Sequence, residues 1–141
     1  MVARQEAVEV IDRLHDAQAR LYAGGDPSLV REVLTDDIAW HVPGTSPIAG
    51  SYHGVDEVVE YMLARRELAG GTCRMDRLDV LTGWGETVAV LTDGEAFVGG
   101  SARRWSTVGV YRLRAGRVAE CHLVPFDQAE FDDIWTPERP C

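Results

Sequence analysis

The chain has 141 residues, 45% of them hydrophobic, and its 23 acidic against 14 basic side chains give a formal charge of −9. That length suits one domain able to bury a core without disulfides or metal, and the acidic balance excludes a polyanion such as nucleic acid as partner, since Arg103-Arg104 is too short to form a basic face. No apolar run reaches the roughly 18 residues of a membrane span, and Met1-Val2-Ala3-Arg4-Gln5-Glu6 lacks the apolar stretch of a signal peptide, so a cytoplasmic location is expected.

Residues 5–23 have a helical period, with Val8, Ile11, Leu14, Gln18, Leu21 and Tyr22 on one face and charged residues on the rest. Gly24-Gly25 ends this helix, and Asp26-Pro27 opens a short second one over 27–34, with Asp as N-cap and Pro in the first turn. Thr35-Asp36-Asp37 then leads into an alternating run, Ile38-Ala39-Trp40-His41-Val42, which dissolves into a loop punctuated by Pro43, Gly44, Pro47, Gly50 and Gly54. A third helix starts after Gly54, with Asp56 and Glu57 in the first turn where the helix dipole favours negative charge, and stops at Gly70-Gly71. From Thr72 the period changes to that of strands. Four are predicted, at 73–81, 87–97, 103–113 and 118–125, separated by Gly83-Trp84-Gly85, Gly99-Gly100 and Ala115-Gly116, and such short links imply an antiparallel meander. A last helical turn is predicted over 127–135, ended by Pro137 and Pro140.

Helices followed by a run of strands define an α+β class, pictured as a cone-shaped barrel made by a curved, mostly antiparallel sheet with three helices over its concave face. Irregular segments on a rigid scaffold are where binding concentrates, so the loop after Val42 is expected at the mouth of a pocket. Cys73, Cys121 and Cys141 are odd in number and widely spaced, which fits reduced thiols better than a disulfide framework or a zinc site.

The order of helices, the Gly25-Asp26 break, the strand end Trp40-His41-Val42-Pro43-Gly44, and the closing run Gly116-Arg117-Val118-Ala119-Glu120-Cys121-His122 followed by Asp127 resemble the SnoaL-like branch of the nuclear transport factor 2 superfamily. The resemblance spans roughly residues 5–135. It implies a pocket fold whose members include isomerases, polyketide cyclases, epoxide hydrolases, dehydratases and non-catalytic binding subunits. A ketosteroid isomerase of the usual Tyr/Asp/Asp design is disfavoured, because Gln18, Val42 and Gly109 stand at the three corresponding positions and none abstracts a proton. Arg74-Met75-Asp76 and Arg77-Leu78-Asp79 match the Arg-x-Asp spacing of limonene-type epoxide hydrolases, but on a strand too early in the meander.

The expected activity is cofactor-independent proton transfer (isomerisation, cyclisation or dehydration) on a hydrophobic carbonyl compound, of a kind met in natural-product biosynthesis. His41, which titrates near neutrality, and Asp127 are the candidate proton shuttles. Gln18, Tyr22, Trp40, Arg66, Trp105, Tyr111, Cys121 and His122 are the candidate substrate-binding residues. Gln18 stands out as an amide on an apolar stripe, where lack of a partner costs about 1–3 kcal/mol. Alternation also has a consequence adverse to His41: Ile38, Trp40 and Val42 share one strand face, which turns His41 to the other, and the same reasoning separates His122 from Cys121, Leu123 and Pro125. No cofactor is expected, and no metal, since His41 and His122 lie far apart in the chain without a short His-x-x-x-His pair. The partner expected besides the small molecule is a second copy, docked through the outer sheet face. The competing classes are a ligand carrier of the same fold and a dimerisation module with a self-filled interior.

Overall fold

The structure, a computed structural model, describes residues 2–137; Cys141 and Pro140 lie outside them. Helix α1 (Arg4–Tyr22) buries Val10, Ile11, Leu14, Gln18, Leu21 and Tyr22, and the predicted stripe is therefore its inward face. Asp26 accepts from the Ser28 N–H at 2.9 Å, opening α2 (Ser28–Val33). The chain runs directly from α2 into β1 (Leu34–Val42). Helix α3 (Val55–Ala69) ends at Gly70, whose φ of 57° is the left-handed cap conformation that glycine adopts without a Cβ penalty.

The meander forms as predicted: β3 (Arg74–Thr82), β4 (Thr87–Val98), β5 (Ser101–Arg114) and β6 (Arg117–Pro125) pair antiparallel in sequence. Two features differ from the sequence expectation. Gly50–His53, expected as loop, forms a short edge strand, β2, antiparallel to β1; four residues with a glycine at one end carry too little period to announce a strand. The sheet, in order β2-β1-β6-β5-β4-β3, is also open and not a closed barrel. The helical turn expected over 127–135 is α4 (Gln128–Ile134), which stands beside the three helices placed over the concave face.

Strand β1 pairs parallel to β6, with Trp40 opposite Cys121 and His41 opposite His122. Register shifts in β1, β3 and β6 are bulges of the kind that bend a sheet. On the concave side α1 packs on β3, α3 on β1, β2 and β4, and α4 against β5 and β6. Alternation sorts the strands into two faces. Ile38, Trp40 and Val42 of β1, Val88 and Val90 of β4, and Trp105, Tyr111 and Leu113 of β5 are buried inward, while His41, Ala89, Val108, Val110 and His122 lie on the other side. No helix among the described residues is long and apolar enough to cross a membrane.

Candidate functional site: a donor-rich interior

The concave face is lined by aromatic side chains around one cation. Arg65 sits on the buried row Val58, Tyr61, Met62, Arg65, Ala69 of α3, and only 3% of it is exposed. Its guanidinium carbon lies 4.6 Å from the Trp135 ring, 5.4 Å from Trp105 and 5.9 Å from Tyr22. Its Nη1 donates to Tyr61 Oη over a long 3.4 Å. No carboxylate among the described residues comes within ion-pair distance. Burial opposes the charge, but the flanking Tyr61, Cys73 and Tyr22 groups shift the balance upward, and an arginine stays protonated in any case.

The groups around Arg65 are donors as well. Tyr22 Oη, Trp40 Nε1, Trp135 Nε1 and Arg65 Nε are buried without a hydrogen bond of ordinary geometry, in a setting where each such group costs about 1–3 kcal/mol. None of the interior groups is a base at neutral pH. Burial pushes the Tyr22, Tyr61 and Tyr111 phenols up, and likewise the Cys73 and Cys121 thiols. The groups around Arg65 can therefore donate hydrogen bonds to an oxygen and stabilise negative charge on it, but among the described residues they include none that takes a proton near neutrality.

Two glycines make this packing fit. Gly94 faces Trp105 across the β4–β5 ladder, and a Cβ there would run into the indole. A Cβ at Gly109 would come within 2.6 Å of the Tyr111 ring. Trp105 is also the partition between this interior and an open cleft of about 520 Å³, whose wall includes Trp105 and Phe131. The rim of the cleft is acidic, with Asp76, Asp93, Glu95, Asp127 and Glu130 against Arg104. Asp127 is held there as the N-cap of α4, accepting the Glu130 N–H at 2.9 Å.

Of the residues singled out in the sequence, Tyr22, Trp40, Trp105, Tyr111 and Cys121 converge on the interior, and Gln18 is buried on α1 at 2% exposure. Arg66 does not point inward: its Nη1 donates to the Leu21 and Gly25 carbonyls at 3.1 and 3.3 Å, tying α3 to the end of α1. His41 and His122 take the opposite, outer face, the side alternation pointed to, which separates both imidazoles from the interior. Sequence reasoning missed Arg65, Tyr61 and Trp135. A three-then-four step from Val58 through Tyr61 and Met62 to Arg65 and Ala69 was the available signal for the first two; for Trp135 there was none, since its burial depends on how α4 folds back.

On the outer face the parallel β1–β6 pairing stacks His41 on His122, with ring centroids 4.4 Å apart and planes 17° from parallel. His41 Nδ1 bonds to Ser51 Oγ at 2.8 Å. His122 Nε2 meets Glu120 Oε1 at 2.6 Å, and Arg112 Nη2 donates to Glu120 Oε2 at 3.1 Å. Partial burial lowers the His41 pKa, and the His122 charge adds to this. Hydrogen bonds from His122 and Arg112 lower that of Glu120.

An open, curved α+β sheet wrapped over a donor-rich aromatic interior defines a domain of the small-molecule-binding kind. The chain belongs to the SnoaL-like domain family, which matches residues 14–121. An uncharacterized protein of Mycobacterium tuberculosis is 30% identical over 99 residues, which cover 70% of this chain and 61% of that protein; the match thus leaves more than a third of the relative's length unaccounted for. Among solved structures, Bal32a from a soil-derived mobile gene cassette superposes with a TM-score of 0.80 at 25% identity, over 92% of this chain and 98% of that one. A putative SnoaL-like polyketide cyclase from Jannaschia sp. CCS1 gives a TM-score of 0.74 at 16% identity, over 98% and 99%.

Proposed function

We propose that the chain binds a neutral, hydrophobic carbonyl compound, with the carbonyl oxygen directed at Arg65 and the Tyr22 and Trp135 donors, and that it promotes enolisation of that compound. The observation that carries this reading is Arg65: a buried guanidinium ringed by donors, with no carboxylate in ion-pair reach among the described residues. Such a group is costly unless a ligand completes it, and oriented donors in a water-poor site are what a developing enolate oxygen needs. The acidic rim selects against free carboxylates and in favour of a neutral ligand. In this reading Asp127, at the cleft on the other side of Trp105, is the proton acceptor. Transfer of a proton from the carbon next to the carbonyl to the Asp127 carboxylate, and back to a second carbon, requires the Trp105 indole that separates Asp127 from Arg65 to swing aside. The likeness to a putative SnoaL-like polyketide cyclase is in keeping with this chemistry.

A ligand carrier of the same fold is the second reading, favoured by the lack of any interior group that accepts protons near neutrality. One experiment separates the two. Aromatic ketones and their deoxygenated counterparts are titrated against tryptophan fluorescence, and exchange of the ketone α-protons is followed by NMR in D2O, for the natural chain, Arg65→Met and Asp127→Asn. Preference for the ketone, lost in Arg65→Met, supports the site; exchange slowed by Asp127→Asn supports the enzyme, and binding without exchange the carrier. Equal affinity for ketone and deoxygenated analogue refutes both.

The outer face supports a homodimer. Ala89, Leu91, Val108 and Val110 form a half-buried apolar patch there, and Val124, opposite Val108, is 51% exposed. Such a patch on a sheet face suits a second copy.

A further inference from the structure

The geometry points to a divalent metal site on the outer face of the sheet, built from His41, Glu120 and His122, for a first-row transition ion of the zinc and cobalt class. One ligand atom from each of the three residues lies within 4.8 Å of those of the other two. Nitrogen and oxygen ligands of tetrahedral zinc, each about 2.0–2.1 Å from the ion, stand roughly 3.3 Å from one another. The cluster is thus within about 1.5 Å of ligating separations, a gap that side-chain rotation closes because both imidazoles border a recess lined by residues of β1, β2 and β6, beside the Val108–Val110 patch and not within it. The backbone positions are fixed by the sheet, since Glu120 and His122 alternate onto the same face of β6 and His41 is the direct parallel partner of His122.

Two further contacts prepare the ligands. Ser51 Oγ occupies His41 Nδ1 at 2.8 Å, which leaves Nε2 to bind an ion. Arg112 holds Glu120 Oε2, which leaves Oε1 directed at His122 Nε2. Outer-shell partners of this kind fix ring orientation and the free carboxylate oxygen in metal sites. The short His122–Glu120 hydrogen bond occupies the place an ion would take; binding replaces its proton, which is released. Two imidazoles and one carboxylate leave a fourth position open to water. This set of donors excludes neither zinc nor cobalt, nickel or copper, but it disfavours calcium and magnesium, which prefer all-oxygen shells. The site lies across the sheet from Arg65 and does not depend on the interior's proposed role.

The test uses the untagged full chain, stripped with chelator and carrying Cys141→Ser so that the tail thiol does not compete. Zinc(II) is titrated calorimetrically, and cobalt(II) is followed by its visible absorption. The expected result is one ion per chain, four-coordinate cobalt bands, and binding at least about 30-fold weaker in His41→Ala and in His122→Ala, a loss on the scale of known ligand and outer-shell removals. Glu120→Gln, which keeps size and hydrogen bonding, should weaken binding in the same direction, and His53→Ala should leave it within about twofold, a margin small beside such ligand losses. Circular dichroism checks that each variant is folded. The assignment is overturned if His41→Ala or His122→Ala, while folded, binds as the parent does. It is also overturned if His53→Ala matches their loss, or if the stoichiometry is half an ion per chain, which would mean a site shared between two copies.

Discussion

Replacing Arg65 by methionine, of similar length and without charge, should make the unliganded protein more stable. The guanidinium is 3% exposed, and withdrawing an ion of this kind from water costs several kcal/mol even after relaxation. Three rings at 4.6, 5.4 and 5.9 Å return up to about 2 kcal/mol each when well aligned and desolvated. Two of the three lie near the outer limit of that interaction, and the hydrogen bond to Tyr61 is long at 3.4 Å. The deficit left is about 1–3 kcal/mol, which methionine removes while filling most of the same volume. Urea denaturation should therefore give an increase of about 1–3 kcal/mol, and a thermal midpoint higher by about 3–5 °C per kcal/mol for a chain of this size. The same variant should lose selectivity for the carbonyl ligand. A folded Arg65→Met that is less stable by 2 kcal/mol or more would refute the reasoning. The rings would then be a sufficient counterpart to the charge, and Arg65 would be a structural centre and not a group held ready for a ligand.

Gly94→Ala should cost about 1–3 kcal/mol as an overpacking change, because the added methyl meets the Trp105 indole; equilibrium denaturation measures the loss, and a shifted tryptophan emission should accompany it. His15, flanked by Asp12, Arg77 and Asp76, has its pKa lowered by burial to about 4. Its neutral form is the folded one, so its contribution is complete above the unfolded value of roughly 6.5 and is lost as the pH falls from there toward 4. Integrated over that window the contribution is at most about 3 kcal/mol, and stability measured against pH should lose this slope in His15→Gln. Val108→Glu, in the middle of the apolar outer patch, should convert a dimer to monomers by light scattering without changing the circular dichroism spectrum. An unchanged mass would remove the outer face as the contact.

The sequence by itself determined the longer elements and their faces, because side-chain period is a local property. The stripe from Val8 to Tyr22, the glycine stops at 24–25 and 70–71, and the four-strand meander all follow from near neighbours, and each matches the observed helices and strands. Alternation pointed His41 and His122 outward, but a one-residue slip would exchange the faces, and the register of the sheet decided between them. Only the tertiary structure decided which polar groups meet. Arg65 and Arg66 are adjacent, and a rotation of about 100° around α3, the step between successive residues, separates a buried guanidinium from one that ties down two carbonyls. Trp135 reaches Arg65 because α4 folds back over β5 and β6. His41 and His122 become neighbours through a parallel pairing between the first long strand and the last. Contacts of that range depend on the closure of the whole chain, and no window of local sequence carries them.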